Sequence, residues 1–393
     1  MNSDGGALLR GRHYATGHVI ELEARGDHIS AVRELDDAAA SGDGLPWLAP
    51  GFVDLQSNGY GGQEFSSLEL AVDKAVAICE QQAAFGVTKF CPTVTTASFE
   101  TIAHSLGTIA RAARESTTAR QVIAGVHLEG PYISREDGAR GAHPLEHCRE
   151  PDWNEFQRFQ DAAEGGIRIL TLSPDYGGVT KFIRQVADSG VLVAIGHTGA
   201  DSDQIRGAVD AGARLSTHLG NGTHRTLRRH PNYIWDQMAE DRLSASLIVD
   251  GHHLPAEVVK TIVRAKMPER CILVSDLSGL AGLPPGRYST QLCELEILAD
   301  GRLVIAGQDQ LLAGASRPIG TGVATVMRFA GVDLALAVSM ASQQPARLIG
   351  LPENQLRVGD PADAVLFELR SAGPSSSTLE VRATMTAGRL RRF

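Results

Sequence analysis

From Pro50 onward the chain alternates short apolar runs with amphipathic helical stretches, and no other feature narrows its fold as far. The runs lie at residues 52–55, 89–91, 122–128, 167–172, 191–195, 215–217, 246–249 and 272–275, eight in all. Runs this short, spaced by helical periodicity, read as buried parallel strands. Eight is the number that closes a (β/α)8 barrel. The helical stretches are punctuated accordingly, with Asp201 as an N-cap, Gly212 just past a helix end and Pro255 in a first turn. Such a barrel carries its chemistry at the C-terminal ends of its strands. Four runs stop there on a residue able to bind or serve a metal: Glu129, His197, His218 and Asp276.

Each of these has an ordinary alternative. Glu129 reads equally as a loop acid, and either histidine as a hydrogen-bonded structural residue. Three of them at three separate strand ends, however, converge on one axis. Two imidazoles and a carboxylate hold a catalytic metal and leave a position open for water. Asp276 would then handle the proton of that water. The competing role of Asp276 is a helix cap, which Gly279 and Gly282 disfavour by making an immediate helix costly. At the end of the first run stand Gln56 and Asn58, where many barrels of this kind carry a His-x-His pair. Neutral amides are poor ligands and suit a sugar hydroxyl or an ordered water, so one divalent metal is expected rather than two. Zinc is expected first, with iron, manganese and cobalt compatible with the same donors. The fourth run ends in Ser173 and Pro174, not in the lysine that could bridge two metals, which disfavours a cyclic amidase of the dihydroorotase type.

Outside the barrel pattern, residues 19–22 and 29–32 flank a Gly26-Asp27 turn and read as a hairpin. A second hairpin, residues 293–298 and 303–306 around Asp300-Gly301, is inserted after the eighth run. Helices are expected near 321–330 and 334–342, strands at 364–369 and 381–391, and a turn in the Ser-rich residues 372–378. With β signals at both ends, the economical arrangement is a small β-sandwich domain from residues 1–49 and 353–393, with the barrel occupying 50–352. At 393 residues the chain can bury a large core. Its net charge of -9 argues against nucleic-acid binding. Five scattered cysteines without CxxC spacing point to a reducing, cytoplasmic setting. No leader pattern opens the sequence, and no run is long enough to span a membrane.

The motifs that carry these residues resemble those of the N-acetylglucosamine-6-phosphate deacetylase family of the amidohydrolase superfamily. They run in order along nearly the whole chain: residues 50–59, His127 to Pro131, Gly141-Ala142-His143-Pro144, Ile195 to Thr198, Thr217-His218-Leu219, Asp250-Gly251-His252-His253, Val274-Ser275-Asp276, Leu312-Ala313-Gly314 and residues 345–350. The resemblance implies that Glu129, His197 and His218 hold the metal, that Asp276 is general base and acid, and that His253 contacts the substrate. It also implies that Gln56, Asn58, Ala142, His143, Asn221, Gly222, Leu312, Ala313 and Gly314 line the sugar site. Arg229 would reach the phosphate, in that family commonly across a homodimer interface. Arg225, Arg228, His224 and His230 surround it, a density of donors suited to a phosphate dianion, although a solvated basic loop would look the same. The implied reaction is metal-dependent removal of the acetyl group from N-acetylglucosamine-6-phosphate. Two departures touch the sugar and not the metal: Gly220-Asn221-Gly222-Thr223 stands where the family has an aromatic residue, Asn, Ala and Met, and Leu277 to Leu280 replaces a run of small residues. The alternatives are deacetylation of another N-acyl compound, such as an unphosphorylated or epimeric amino sugar or an N-acyl amino acid, and a non-catalytic sugar-binding barrel.

Overall fold

A computed structural model of the chain describes residues 6–35, 44–290, 294–371 and 377–393. Strands β1 (Ala7–His13), β2 (Val19–Arg25), β3 (His28–Glu34) and β4 (Trp47–Pro50) come first. The barrel then begins with β5 (Phe52–Ser57), followed by a small hairpin of β6 (Gly59–Tyr60) and β7 (Gln63–Glu64). Its remaining strands are β8 (Val87–Thr95), β9 (Val126–Glu129), β10 (Ile167–Leu172), β11 (Leu192–Ile195), β12 (Ala213–Ser216), β13 (Ser244–Leu247) and β14 (Cys271–Leu273). All eight expected runs form parallel strands in sequential order. The run expected at 122–128 divides in two. A helix, Thr117–Val122, ends there and β9 starts only at Val126, because Gly125 turns the chain at φ 128, a region open to glycine.

Inside the barrel, Leu55, Cys91, Ile169, Ala194, Leu215 and Ile272 from six strands make one buried plug. A second, larger apolar layer packs the strands against the surrounding helices. Each fully buried aliphatic side chain of this kind contributes ~1.5–3 kcal/mol. Strands β14 and β5 do not pair along their length. They are joined just beyond β14, where Asp276 N donates to Gln56 O at 2.9 Å and Asn58 N to Leu277 O at 2.7 Å. Asp54 strengthens this seam, accepting from Ser275 N at 3.1 Å and Gln56 N at 3.3 Å. Burial pushes its carboxyl up to about 7. The seam that closes the barrel therefore lies at the catalytic end.

After β14 the chain builds β15 (Gly286–Ser289), β16 (Glu294–Ile297), β17 (Leu303–Ile305) and β18 (Gln308–Leu312), a four-stranded antiparallel sheet around the expected hairpin. The expectation at Cys293 lies outside the described residues, as does most of the Ser-rich turn. Helices return at Ile319–Ala330 and Leu334–Ala341. Finally β19 (Ala364–Ser371), β20 (Ser377–Thr386) and β21 (Arg389–Arg392) join the N-terminal strands in one seven-stranded sheet, order β21-β20-β19-β4-β1-β2-β3. Leu9, Leu22 and Ile29 from one half share a core with Leu366, Ala383 and Met385 from the other, so the two halves bury a common interior as a sandwich does.

Candidate active site

Glu129 ends β9, and His197, His218 and Asp276 follow β11, β12 and β14. The last three have φ values of 49, 30 and 50, in the left-handed region that non-glycine residues rarely occupy. Such conformations cost on the order of 1–3 kcal/mol each and gather at functional sites. Here the bend turns each side chain from the strand direction into the barrel mouth.

Three atoms meet there. Glu129 Oε1 lies 3.1 Å from His197 Nε2 and 2.9 Å from His218 Nε2, and the two nitrogens are 3.1 Å apart. The Nδ1 of His197 sits 3.1 Å from Ala139 O and donates to it, so in the neutral imidazole Nε2 is the nitrogen with the lone pair. A proton on His218 Nε2 can serve only one of its two neighbours. No placement of protons therefore satisfies every side of the triangle, whereas a cation does. Four ligands at 2.0–2.2 Å in a tetrahedron stand about 3.3–3.6 Å from one another, a little wider than these separations. The donor set thus fits a small divalent metal. His143 packs edge-on against His197, ring centres 4.3 Å apart, and Glu129, His143 and His197 each offer a ligand atom within 4.8 Å of the others. The shorter contacts of His218 make it the better third donor.

The electrostatics follow from burial opposed by pairing. Burial raises the Glu129 carboxyl, but the two histidines outweigh it and hold it well below the usual carboxylate range. Burial lowers His218, yet Glu129 keeps it above its ordinary value. Burial pushes His143 down to about 3 and His127, beneath the site, down to about 4. His127 is locked between Leu55 O at 3.0 Å and Thr171 Oγ1 at 2.7 Å. Burial and the nearby Glu129 push Asp276 up to about 6.

The two amides of the first strand are engaged with carboxylates. Gln56 Nε2 donates to Glu129 Oε1 at 3.1 Å, and Asn58 Nδ2 donates to Asp276 Oδ1 at 2.7 Å. Gln56 stands behind Glu129, off the surface of the cavity that opens over the site. This cavity holds 530 Å³. His253 is on its wall with Nδ1 held by Asp250 Oδ2 at 2.8 Å, and Asp250 also accepts from the backbone N–H groups of His252 and His253. Burial opposes that carboxylate, but the His253 hydrogen bond holds it down at about 2. Asn58, Ala142, His143, Asn221 and Gly222 reach the cavity, as do Leu312, Ala313 and Gly314 from the inserted sheet. Gly222, at φ 58, lies so close to His197 that a Cβ there would be 2.6 Å from Nδ1. Arg229 is exposed and does not line the cavity of its own chain. Arg225 of the same basic loop does, and so do Arg302 and Glu64, which the sequence pattern does not mark for the site. Arg302 is brought by the turn of the inserted hairpin and Glu64 by the β6–β7 hairpin, neither of which marks a strand end of the barrel.

Known proteins resemble the chain over nearly its whole length. A profile described as "Amidohydrolase family" matches residues 47–391. The N-acetylglucosamine-6-phosphate deacetylase of Bos taurus is 33% identical, covering 98% of this chain and 92% of that protein. The N-acetylgalactosamine-6-phosphate deacetylase of Escherichia coli O157:H7 is 32% identical over 77% of this chain and 78% of its own. Among solved structures, that of an aspartate-to-alanine variant of the Mycobacterium smegmatis N-acetyl-D-glucosamine-6-phosphate deacetylase, in complex with N-acetyl-D-glucosamine-6-phosphate, superposes with a TM-score of 0.83 at 31% identity, covering 98% of this chain and 99% of that one. The N-acetylglucosamine-6-phosphate deacetylase of Thermotoga maritima shares the fold, TM-score 0.82, at 23% identity and with 98% and 100% coverage. The barrel with its strand-end donor set defines a metal-dependent amidohydrolase. Within that class, the chain belongs to the N-acetylglucosamine-6-phosphate deacetylase family.

Proposed function

We propose that this chain hydrolyses the acetamide of N-acetylglucosamine-6-phosphate, giving glucosamine-6-phosphate and acetate. The observation that carries the reading is the triangle of Glu129 Oε1, His197 Nε2 and His218 Nε2, with Asp276 on the same cavity. A divalent cation in that triangle, zinc by donor type and one per chain, would polarise the amide carbonyl and acidify water. The reaction breaks the C–N bond, adds the oxygen of water to the acyl carbon and moves a proton to the leaving nitrogen. Asn58 holds one oxygen of Asp276, which leaves the other to take the proton from water and return it to the amine. Gln56 fixes Glu129, and Asp250 fixes His253 so that its remaining ring nitrogen meets the substrate. Asn221, the Gly222 backbone, His143 and residues 312–314 would enclose the sugar.

Arg229 would complete the phosphate site from a second copy, since it lies off its own chain's cavity; a homodimer follows from that reading. The buried, unpaired Cys79, Cys91, Cys148 and Cys271 suit a reducing compartment, which we take as the cytoplasm. Among the described residues, no helix is long and apolar enough to cross a membrane. Turnover of a panel of N-acetyl compounds tests the reading: N-acetylglucosamine and N-acetylgalactosamine with and without a 6-phosphate, and N-acetyl amino acids. Preference for N-acetylglucosamine-6-phosphate is expected; preference for an N-acyl amino acid, or no hydrolysis of any compound by metal-loaded protein, overturns it.

A further inference from the structure

Glu64 stands in the cavity wall without a part in the chemistry above. It ends the β6–β7 hairpin, and this hairpin is fastened to the loop after β14. Gly61 N donates to Ala281 O at 2.9 Å and Gly62 N to Gly279 O at 2.7 Å. The stem of Glu64 lies against Gly279 so closely that a Cβ at that position would come within 1.9 Å of Cγ. Any other residue at 279 displaces the glutamate. Gly279 thus leaves the space that Glu64 fills. Its carboxylate is half-buried, yet among the described residues it receives no hydrogen bond and no ion pair, and desolvation raises it from its ordinary value. A shielded carboxylate without a donor is costly, and a rigid hairpin keeps this one at the substrate cavity.

We propose that Glu64 is a specificity-determining residue that accepts hydrogen bonds from ring hydroxyls of the amino-sugar substrate. The inference rests on the deacetylase reading. Of the groups such a substrate presents, a carboxylate repels the phosphate and finds its donors on the hydroxyls. A site built to bond a hydroxyl discriminates strongly against an analogue that lacks it.

Steady-state kinetics on N-acetylglucosamine-6-phosphate and its 1-, 3- and 4-deoxy analogues, with wild type, Glu64→Ala and Glu64→Gln, test this. On wild type at least one deoxy analogue should lose about 10- to 100-fold in kcat/KM, the size of a hydrogen bond to a charged group. On Glu64→Ala that penalty should vanish, with the parent sugar weakened by a similar factor, mainly through KM. Glu64→Gln should retain part of the discrimination, and its near-identical shape guards against a failure to fold. Metal content equal to wild type shows that the site is intact. Deoxy penalties that are the same in wild type and both variants overturn the proposal. If wild type turns over none of the sugars, calorimetric binding of the same set to the metal-loaded protein is decisive: binding that shows the same Glu64-dependent pattern upholds the hydroxyl contact while removing the deacetylase reading, and absence of binding removes both.

Discussion

Asp276 owes its chemistry to its surroundings. A carboxylate in water is too weak a base for the task; burial and the neighbouring Glu129 push this one up to about 6. A cation seated among Glu129, His197 and His218 favours the ionised form and lowers that value. Since the base must be ionised, kcat/KM should fall as pH drops, along an acid limb lying below pH 6. A limb well above pH 6 in metal-loaded enzyme would assign it to another group. Asp276→Asn should keep its metal yet lose turnover by about a hundredfold or more, whereas His218→Ala should lose metal affinity; near-normal turnover of Asp276→Asn would exclude it as the proton relay. The four strand-end residues were readable because a barrel dictates where strands end and what faces inward. Gln56 and Asn58 were readable as positions but not as partners, because the carboxylates they meet, Glu129 and Asp276, lie 73 and 218 residues along the chain.

At the level of elements, apolar runs carried the barrel, since parallel strands buried on both faces leave a dense signal. The four-stranded insert was only half readable. Its inner strands flank an Asp-Gly turn, while β15, with the sequence Gly-Arg-Tyr-Ser, alternates only between half-buried and exposed positions and offers no apolar run. Polar residues inside elements were also silent. Lys266 ends the helix Ala256–Lys266 fully buried, its Nζ donating to Gln237 O at 2.9 Å and Glu240 O at 2.6 Å, and so ties that helix to the preceding one, Tyr233–Ala239. Burial lowers its ammonium from 10.5 to about 8. Between those values the unfolded chain binds more protons than the native one, so this group's contribution to stability rises with pH. The melting temperature of wild type should accordingly gain on that of Lys266→Met from pH 8 to pH 10; parallel curves would show that the lysine titrates alike in both states.

For the whole molecule, the readings converge on stoichiometry. With Gln56 and Asn58 occupied by carboxylates, the donors described at the mouth of the barrel all gather around Glu129 and His197, and elemental analysis after gel filtration should find one tightly held divalent metal per chain. Two equivalents, both needed for turnover, would mean that the first strand binds metal after all. Arg229 makes the assembly testable in the same way. If it serves a neighbouring subunit, Arg229→Ala should erase the preference for the 6-phosphorylated sugar through KM while the protein remains dimeric. Equal efficiency of wild type on both sugars, unaltered by the substitution, would leave Arg229 a solvated loop residue.

The terminal sheet places β4 between β1 and β19, with Pro50 opposite Ala364 and Trp47 opposite Phe367. During synthesis β4 leaves the ribosome long before β19 exists, and the whole barrel is made in between. Until then the edge of β4 is open and the apolar faces of Leu9, Leu22 and Ile29 lack their partners, a state prone to wrong pairing. The final three strands thus act as a clasp on a finished barrel, and a nascent chain stalled before Ala364 should be the form that chaperones hold.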